Sequence, residues 1–422
     1  MKHRALALVA TSLCLIALAS TSVLAQSKKT AEQFLADPAV KAVMQSIQTN
    51  EPHFIDEEAR ITEIAAPPFH EQTRAAELKK LFLAAGLQNV RIDATGNVLG
   101  DRPGVSAHPR LVIAAHLDTV FPEGTDVHVK RNGNMLAAPG ISDDGRGLAS
   151  MLALISALQG SKISTPGTVT FVANVGEEGL GDSRGVKALF NDTLKGQIDA
   201  FISIDGTDPS RIVNVGVGSY RYKVTFTGPG GHSYGAFGLV NPANAQGLAI
   251  AKIAHIQVPT KIKTTFNVGR IGGGTSVNSI PFETWFEFDE RSSDQASLDE
   301  VDAKFKKAVA DGVAEENALH PGKGTITVKL ETVGNRPCGN TPADAAIVKA
   351  VGASITAMHL GKPELEASST DSNVPMHLGI PAVTMGGGGV GLNAHALSES
   401  FDATDSYKGV QNLLLTTLLL TQ

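Results

Sequence analysis

Acids and histidines recur where short apolar runs of this chain end: His116 with Asp118, Asp143 with Asp144, Glu177 with Glu178, and Asp205, with His395 near the far end. His116 and Asp118 are two apart on an extended run, so their side chains share a face and one can orient the other. Imidazole together with carboxylate suits zinc and its borderline neighbours, and a carboxylate behind a ligating histidine is a common outer partner. Each residue alone has a plainer explanation, since a strand-end histidine is usually no ligand and paired glutamates on a loop are mostly solvated. Gathered at the mouth of one sheet, however, the carboxylates would repel and raise one another's pKa, a cost that bound divalent cations relieve. Adjacent Glu177 and Glu178 can divide two tasks, one binding a cation and the other accepting a proton from water.

The elements that must position these groups are legible in the apolar pattern. Leu148, Met151, Leu152, Ile155 and Leu158 follow Gly147 at helical spacing, which predicts a core-facing helix with Asp143 and Asp144 just before its start. Taken by itself that stretch reads equally as a pair of capping carboxylates, because a helix N-terminus favours anions. The runs RLVIAAHLD, TVTFVANVGEE and IDAFISIDG predict short, nearly continuous apolar strands separated by helical text. That alternation implies an α/β fold, a mostly parallel mixed sheet covered by helices. In such sheets ligands gather beyond the carboxyl ends of the strands, where these polar residues stand. Residues 30–86 read as helical, broken at Pro52 and at Pro67 and Pro68.

After Gly218 the order becomes strand, helix, strand, strand, helix, strand, a βαββαβ ferredoxin-like α+β unit. The expected organisation is therefore a main domain of residues 26–214 and 333–422, with residues 215–332 inserted as a second domain. The α/β text then resumes, and VGLNAHALSESFD reads as a loop before a terminal helix. Residues 1–25 carry Lys2 and Arg4 before an apolar run that ends in Val23-Leu24-Ala25, the pattern of a cleaved signal peptide, so the protein is expected to be exported, periplasmic or secreted. Removal would leave Cys338 as the only thiol and exclude an internal disulfide. With 36 basic and 42 acidic residues there is no basic footprint for nucleic acid, and no later run is long enough to span a membrane.

In combination the motifs AAHLDTV, GISDDGRG, NVGEEGLGDSRG, FISIDG, GPGGHS, GGGTSVNSIP, FDERS, NRPCG, SSTDSNVP and GLNAHALSE resemble the zinc metallopeptidases that include peptidase T, carboxypeptidase G and the aminoacylases, with peptidase T-like members nearest. The resemblance implies two Zn2+ per subunit, replaceable by Co2+ or Mn2+. His116 and Asp205 would hold one, Glu178 and His395 the other, and Asp143 would bridge them across a cis Asp143-Asp144 bond. It further implies that residues 26–214 and 333–422 form the catalytic domain and residues 215–332 a lid or dimerisation domain, that Asp118 orients His116 and that Glu177 is the general base. By the same resemblance Arg336 would grip a substrate carboxylate, Asn278 and the backbone at Gly387 would help bind substrate, and His232 would complete the site from the lid or from a neighbouring subunit in a homodimer formed through the inserted domain. One departure is that Gly145 stands where many relatives carry lysine after the aspartate pair, with Arg146 following.

The function expected is hydrolysis of an amide bond in a small peptide. An N-acyl-amino-acid amidohydrolase of the acylase or carbamoylase kind is the alternative, and an exported binding protein without catalysis is the third.

Overall fold

The computed structural model describes residues 28–422, so the expected signal peptide lies outside the described residues. A nine-stranded mixed sheet forms the body. Its centre is parallel: Arg110–His116 lies between Thr168–Asn174 and Ala200–Ile204, and Ala382–Met385 follows on the far side. The margins are antiparallel, Val98–Arg102 on one side and Arg211–Gly216 on the other. Strand Arg110–His116 alternates between two cores. Leu111, Ile113 and Ala115 pack with one helical layer, while Val112 and Ala114 pack into a second cluster on the other face. Both faces are therefore dry, which is why the sequence shows apolar runs in place of alternation.

Helix Arg146–Gln159 buries Leu148, Met151, Leu152, Ile155 and Leu158 as its spacing requires. Each such side chain contributes about 1.5 to 3 kcal/mol, against ~1 kcal/mol for an N-cap, so packing fixes where this helix starts. Helix Pro38–Thr62 runs through Pro52 where a break was expected. Ile47, Phe54 and Ile55 are buried on either side of the proline, and their burial outweighs the lost hydrogen bond.

Gly218–Thr227, Pro242–Ile253, Thr264–Gly273, Glu283–Ser292, Gln295–Leu319 and Thr327–Arg336 supply the βαββαβ order. Their four strands form a separate antiparallel sheet in the order Thr264–Gly273, Glu283–Ser292, Gly218–Thr227, Thr327–Arg336. The two helices close its own core of Val224, Phe226, Phe286 and Phe305. The segment expected as a loop around His395 is instead a hairpin of Val390–Leu392 and Ser400–Asp402. Its second strand pairs with Met135–Ala137, just upstream of Asp143. Among the described residues no helix is long and apolar enough to cross a membrane.

Candidate metal centre

Parallel register brings the strand ends to one place. His116 is the last residue of its strand and stands opposite Asn174, three residues before Glu177. Asp205 directly follows Ala200–Ile204, which pairs with the other edge of the His116 strand. Asp143 arrives from the irregular segment before helix Arg146–Gln159, where the Asp143-Asp144 peptide is cis. Gly140 has φ +82°, and a Cβ on Gly147 would lie 2.0 Å from Asp144 Oδ1, so both ends of the aspartate turn need glycine.

The two aspartates have different work, and each sequence reading applies to one of them. Asp144 is the capping carboxylate: its Oδ1 accepts from Gly147 N at 3.1 Å, and its Oδ2 accepts from His116 N at 2.9 Å. Asp143 faces the cluster. Its Oδ1 lies 3.0 Å from His116 Nε2 and its Oδ2 lies 3.0 Å from His395 Nε2. That same His395 nitrogen is 3.0 Å from Glu178 Oε1. Donor atoms of His116, Asp143 and Asp205 lie within 4.8 Å of one another, and so do those of Asp143, Glu178 and His395. A third set, His116 with Glu177 and Glu178, meets the same spacing.

Crowding shows in the ionisation of these groups. Burial pushes Asp205 up to about 7, helped by the charge of Asp143. Burial also raises Glu178, against the hydrogen bond from His395. At Asp143 burial opposes ionisation, but hydrogen bonds from His116 and His395 outweigh it and hold the carboxyl below its ordinary range. Hydrogen bonds to Asp143 and then Glu178 lift His395 to about 10. Acids this close stay charged only beside cations, here the two imidazoles. Imidazole nitrogens and carboxylate oxygens with one shared carboxylate form a donor set that fits a pair of divalent metal ions.

Asp118 orients His116 differently from what was expected. Its backbone carbonyl meets His116 Nδ1 at 2.9 Å, while its carboxylate accepts from the backbone N–H groups of Glu177 at 3.0 Å and Glu178 at 2.8 Å. Two N–H donors aligned on one carboxylate win it from the imidazole, whose Nδ1 is 3.7 Å from the nearer oxygen. One residue thus fixes both the histidine and the glutamate pair.

The three expected substrate contacts have different settings. Arg336, expected to hold a free substrate carboxylate, is only 4% exposed. Its Nη1 donates to Glu177 Oε1 at 2.6 Å and to Ser369 Oγ at 2.9 Å, and its Nη2 donates to the Glu177 carbonyl. A buried guanidinium beside a buried carboxylate pairs with it, because neither can be left unpaired away from water. Gly387 does not line the cavity at the cluster, and its carbonyl accepts from buried Arg146 and Ser150. His232 pairs with Ser279 in the short ribbon of Gly231–His232 with Ser279–Ile280, and the Asn278 carbonyl accepts from Ser233 N at 3.0 Å. This ribbon is separate from the four-stranded sheet, and neither residue lines the cavity at the cluster. His232 Nδ1 accepts from Tyr234 N and Gly235 N, both at 3.2 Å, which leaves the proton on Nε2.

That cavity, of about 370 Å3, is lined by Asp143, Glu177, Glu178, Asp205 and His395 and, from the smaller sheet, by Arg336, Arg221 and Arg291. Sequence reasoning missed Arg221 and Arg291. Asp289 accepts from both, from Arg221 Nε and from Arg291 Nε at 2.9 Å each. Among the described residues the terminal nitrogens of Arg291 have no hydrogen-bond partner here. FDERS carried the signal, since Asp289 and Arg291 are two apart on a strand and share a face.

The profile described as Peptidase family M20/M25/M40 matches residues 112–418. A curated relative, the uncharacterised protein YqjE of Bacillus subtilis, is 26% identical over 358 residues, 80% of this chain and 90% of its own length. Among solved structures, aminopeptidase PepT from Bacillus cereus superposes with a TM-score of 0.70 at 22% identity, covering 88% of this chain and 99% of its own. The Bacillus subtilis YXEP protein, described as a dinuclear metal binding peptidase, superposes with a TM-score of 0.65 at 15% identity, covering 89% and 99%. At these identities the two structures speak to the fold.

Proposed function

The chain belongs to peptidase family M20/M25/M40 and is a metal-dependent hydrolase, and on that premise we propose that it cleaves the amide bond of small peptides at a two-zinc site. His116 and Asp205 would hold one ion, Glu178 and His395 the other, with Asp143 common to both. What carries this reading is the Asp143 carboxylate, which turns one oxygen to His116 and the other to His395, so that two three-donor sets share it. When bound, such ions polarise the scissile carbonyl and lower the pKa of the attacking water.

Glu177 is the general base in this scheme. It accepts the proton of the attacking water at its carboxylate and returns it to the leaving amine. Arg336 keeps that carboxylate in place, and Asp118 holds the Glu177 and Glu178 backbone. Arg221 and Arg291 stand with Arg336 on the cavity wall, and with Arg336 paired to Glu177 they are the groups that would receive a substrate carboxylate, a task for guanidinium nitrogens.

His232 lies outside this chain's cavity, and we assign its Nε2–H to the oxyanion that forms when the carbonyl is attacked. It arrives by closure of the smaller sheet or from a second subunit. Exposed Tyr234, Phe237 and Val277 beside it favour a homodimer through residues 215–332. The basic and apolar start of the chain, with its Val23-Leu24-Ala25 site, supports export to a periplasm or beyond.

The test is metal analysis of the purified protein, followed by incubation with a panel of dipeptides, tripeptides and N-acyl amino acids read by mass spectrometry. Two zinc ions with cleavage of peptides is the expected result. Cleavage of N-acyl amino acids alone would make the protein an acylase, and metal without any cleavage would leave a binding protein.

A further inference from the structure

Ligand His395 sits on a segment that little else holds. Between residues 390 and 400 only Glu399 is buried, and the His395 side chain is 55% exposed. Asn393 and His395 have φ of +56° and +66°, a left-handed backbone that non-glycine residues adopt at a cost. The one buried residue is a carboxylate, which loses its hydration unless donors replace it. Four donors do so, all from the turn that carries Asp143. Glu399 Oε1 accepts from Ser142 N at 2.8 Å, Ser142 Oγ at 2.7 Å and Asp143 N at 3.0 Å, and Oε2 accepts from Gly140 N at 2.9 Å.

We infer that Glu399 is a positioning residue that sets the distance between Asp143 and His395, and so determines whether the Asp143, Glu178 and His395 donors can hold their metal ion. The geometry makes the effect selective. His116 and Asp205 sit on strand ends inside the main sheet and make no hydrogen bond to Glu399 among the described residues. His395 reaches the cluster only across the hairpin, and Glu399 clamps that hairpin to the Asp143 turn. Asp143 serves both positions, but its turn is also tied to the His116 strand through Asp144, which accepts from His116 N and Gly147 N. Weakening the clamp should therefore displace His395 most and loosen its metal position more than the other. The inference rests on the two-ion reading above.

The experiment titrates metal-free full-length protein with Zn2+ against a chromophoric chelator, and with Co2+ followed by its visible absorption, in the unaltered protein and in Glu399→Gln. Glutamine keeps the shape but brings an N–H2 against the Gly140 N–H and removes the charge. We expect two binding steps in the unaltered protein. In the variant the stronger step should stay within about threefold and the weaker should fall about 10- to 100-fold, the usual cost of losing an outer partner of a metal ligand. The second cobalt equivalent should change its absorption, while the metal-free melting temperature stays the same. Two unaltered steps in the variant would overturn the inference, as would equal weakening of both steps with a lowered metal-free melting temperature, which would make Glu399 part of the scaffold alone. If the variant does not fold, Ser142→Ala, which removes one of the four donors, should weaken the second step more than the first, and no change there would overturn the inference equally. Fewer than two ions in the unaltered protein would instead overturn the two-ion reading.

Discussion

The mouth of the main sheet and the two-stranded ribbon of Gly231–His232 with Ser279–Ile280 both carry residues that the sequence marks as functional, yet only the first gathers them around the cavity. At the mouth, neighbouring strands in parallel register must end side by side, so His116, Glu177, Glu178 and Asp205 converge wherever the sheet forms. On the ribbon, His232 pairs with Ser279 and Asn278 accepts from Ser233, and neither lines the cavity. Register propagates through one sheet but does not cross from one sheet to another. A site built on strand ends is thus assembled by its own sheet, whereas residues of the smaller sheet take part only where packing brings them to the cavity, as it does Arg221, Arg291 and Arg336 but not His232.

The contrast can be broken most severely at Asp143. Asp143→Ala removes the carboxylate shared by both donor sets, so bound metal should fall from two ions towards none and peptide cleavage to background, as read by elemental analysis and the same panel. Retention of two ions would mean that the third donor set, with Glu177, is the one in use.

A smaller loss is expected at Glu177. Glu177→Gln should keep both ions and lose about 10²- to 10⁴-fold in kcat, the usual contribution of a general base. Loss of metal in this variant would exchange the roles of Glu177 and Glu178.

At the other region, His232→Ala should lower kcat about 10²- to 10³-fold, the cost of removing one oxyanion donor, with metal content unchanged. Mixing this variant with Glu177→Gln separates the two routes to the site. Recovered activity on subunit exchange indicates donation across a dimer, no recovery leaves closure within one chain, and full activity of His232→Ala alone removes the residue from the reaction.

The smallest effect concerns the bridge between the two regions, the arginines that the smaller sheet presents to the cavity. Arg291→Ala should raise KM about tenfold or more for substrates with a free carboxylate, in line with ~1.5 to 3 kcal/mol for a hydrogen bond to a charged group, and should spare the corresponding amides. Equal loss on both forms would confine Arg291 to its pairing with Asp289.

The expectations that the structure changed share a cause. Arg336 was read as a substrate handle by resemblance, and its contact with Glu177, 159 residues away, is not visible in the spacing. Pro52 was read as a break because the lost hydrogen bond is a local fact, whereas the burial of Ile47 and Ile55 is not. The hairpin around His395 was read as a loop because its short strands are stabilised by pairing with Met135–Ala137, far away in the chain. In each case a partner distant in sequence decided the outcome.

What the sequence determined by itself is whatever depends on neighbours along the chain. The apolar runs specify buried strands, Leu148 to Leu158 specify the helix behind the aspartates, and residue type restricts the cluster to metal-binding chemistry. Tertiary structure alone decided which of several competing donors each polar group received. It gave the Asp118 carboxylate to the glutamate backbone, Arg336 to Glu177, and Glu399 to the turn that carries Asp143. The physical reason is that a buried charge takes the donors its surroundings can supply, and those surroundings exist only once segments 59 to 257 residues apart have packed together.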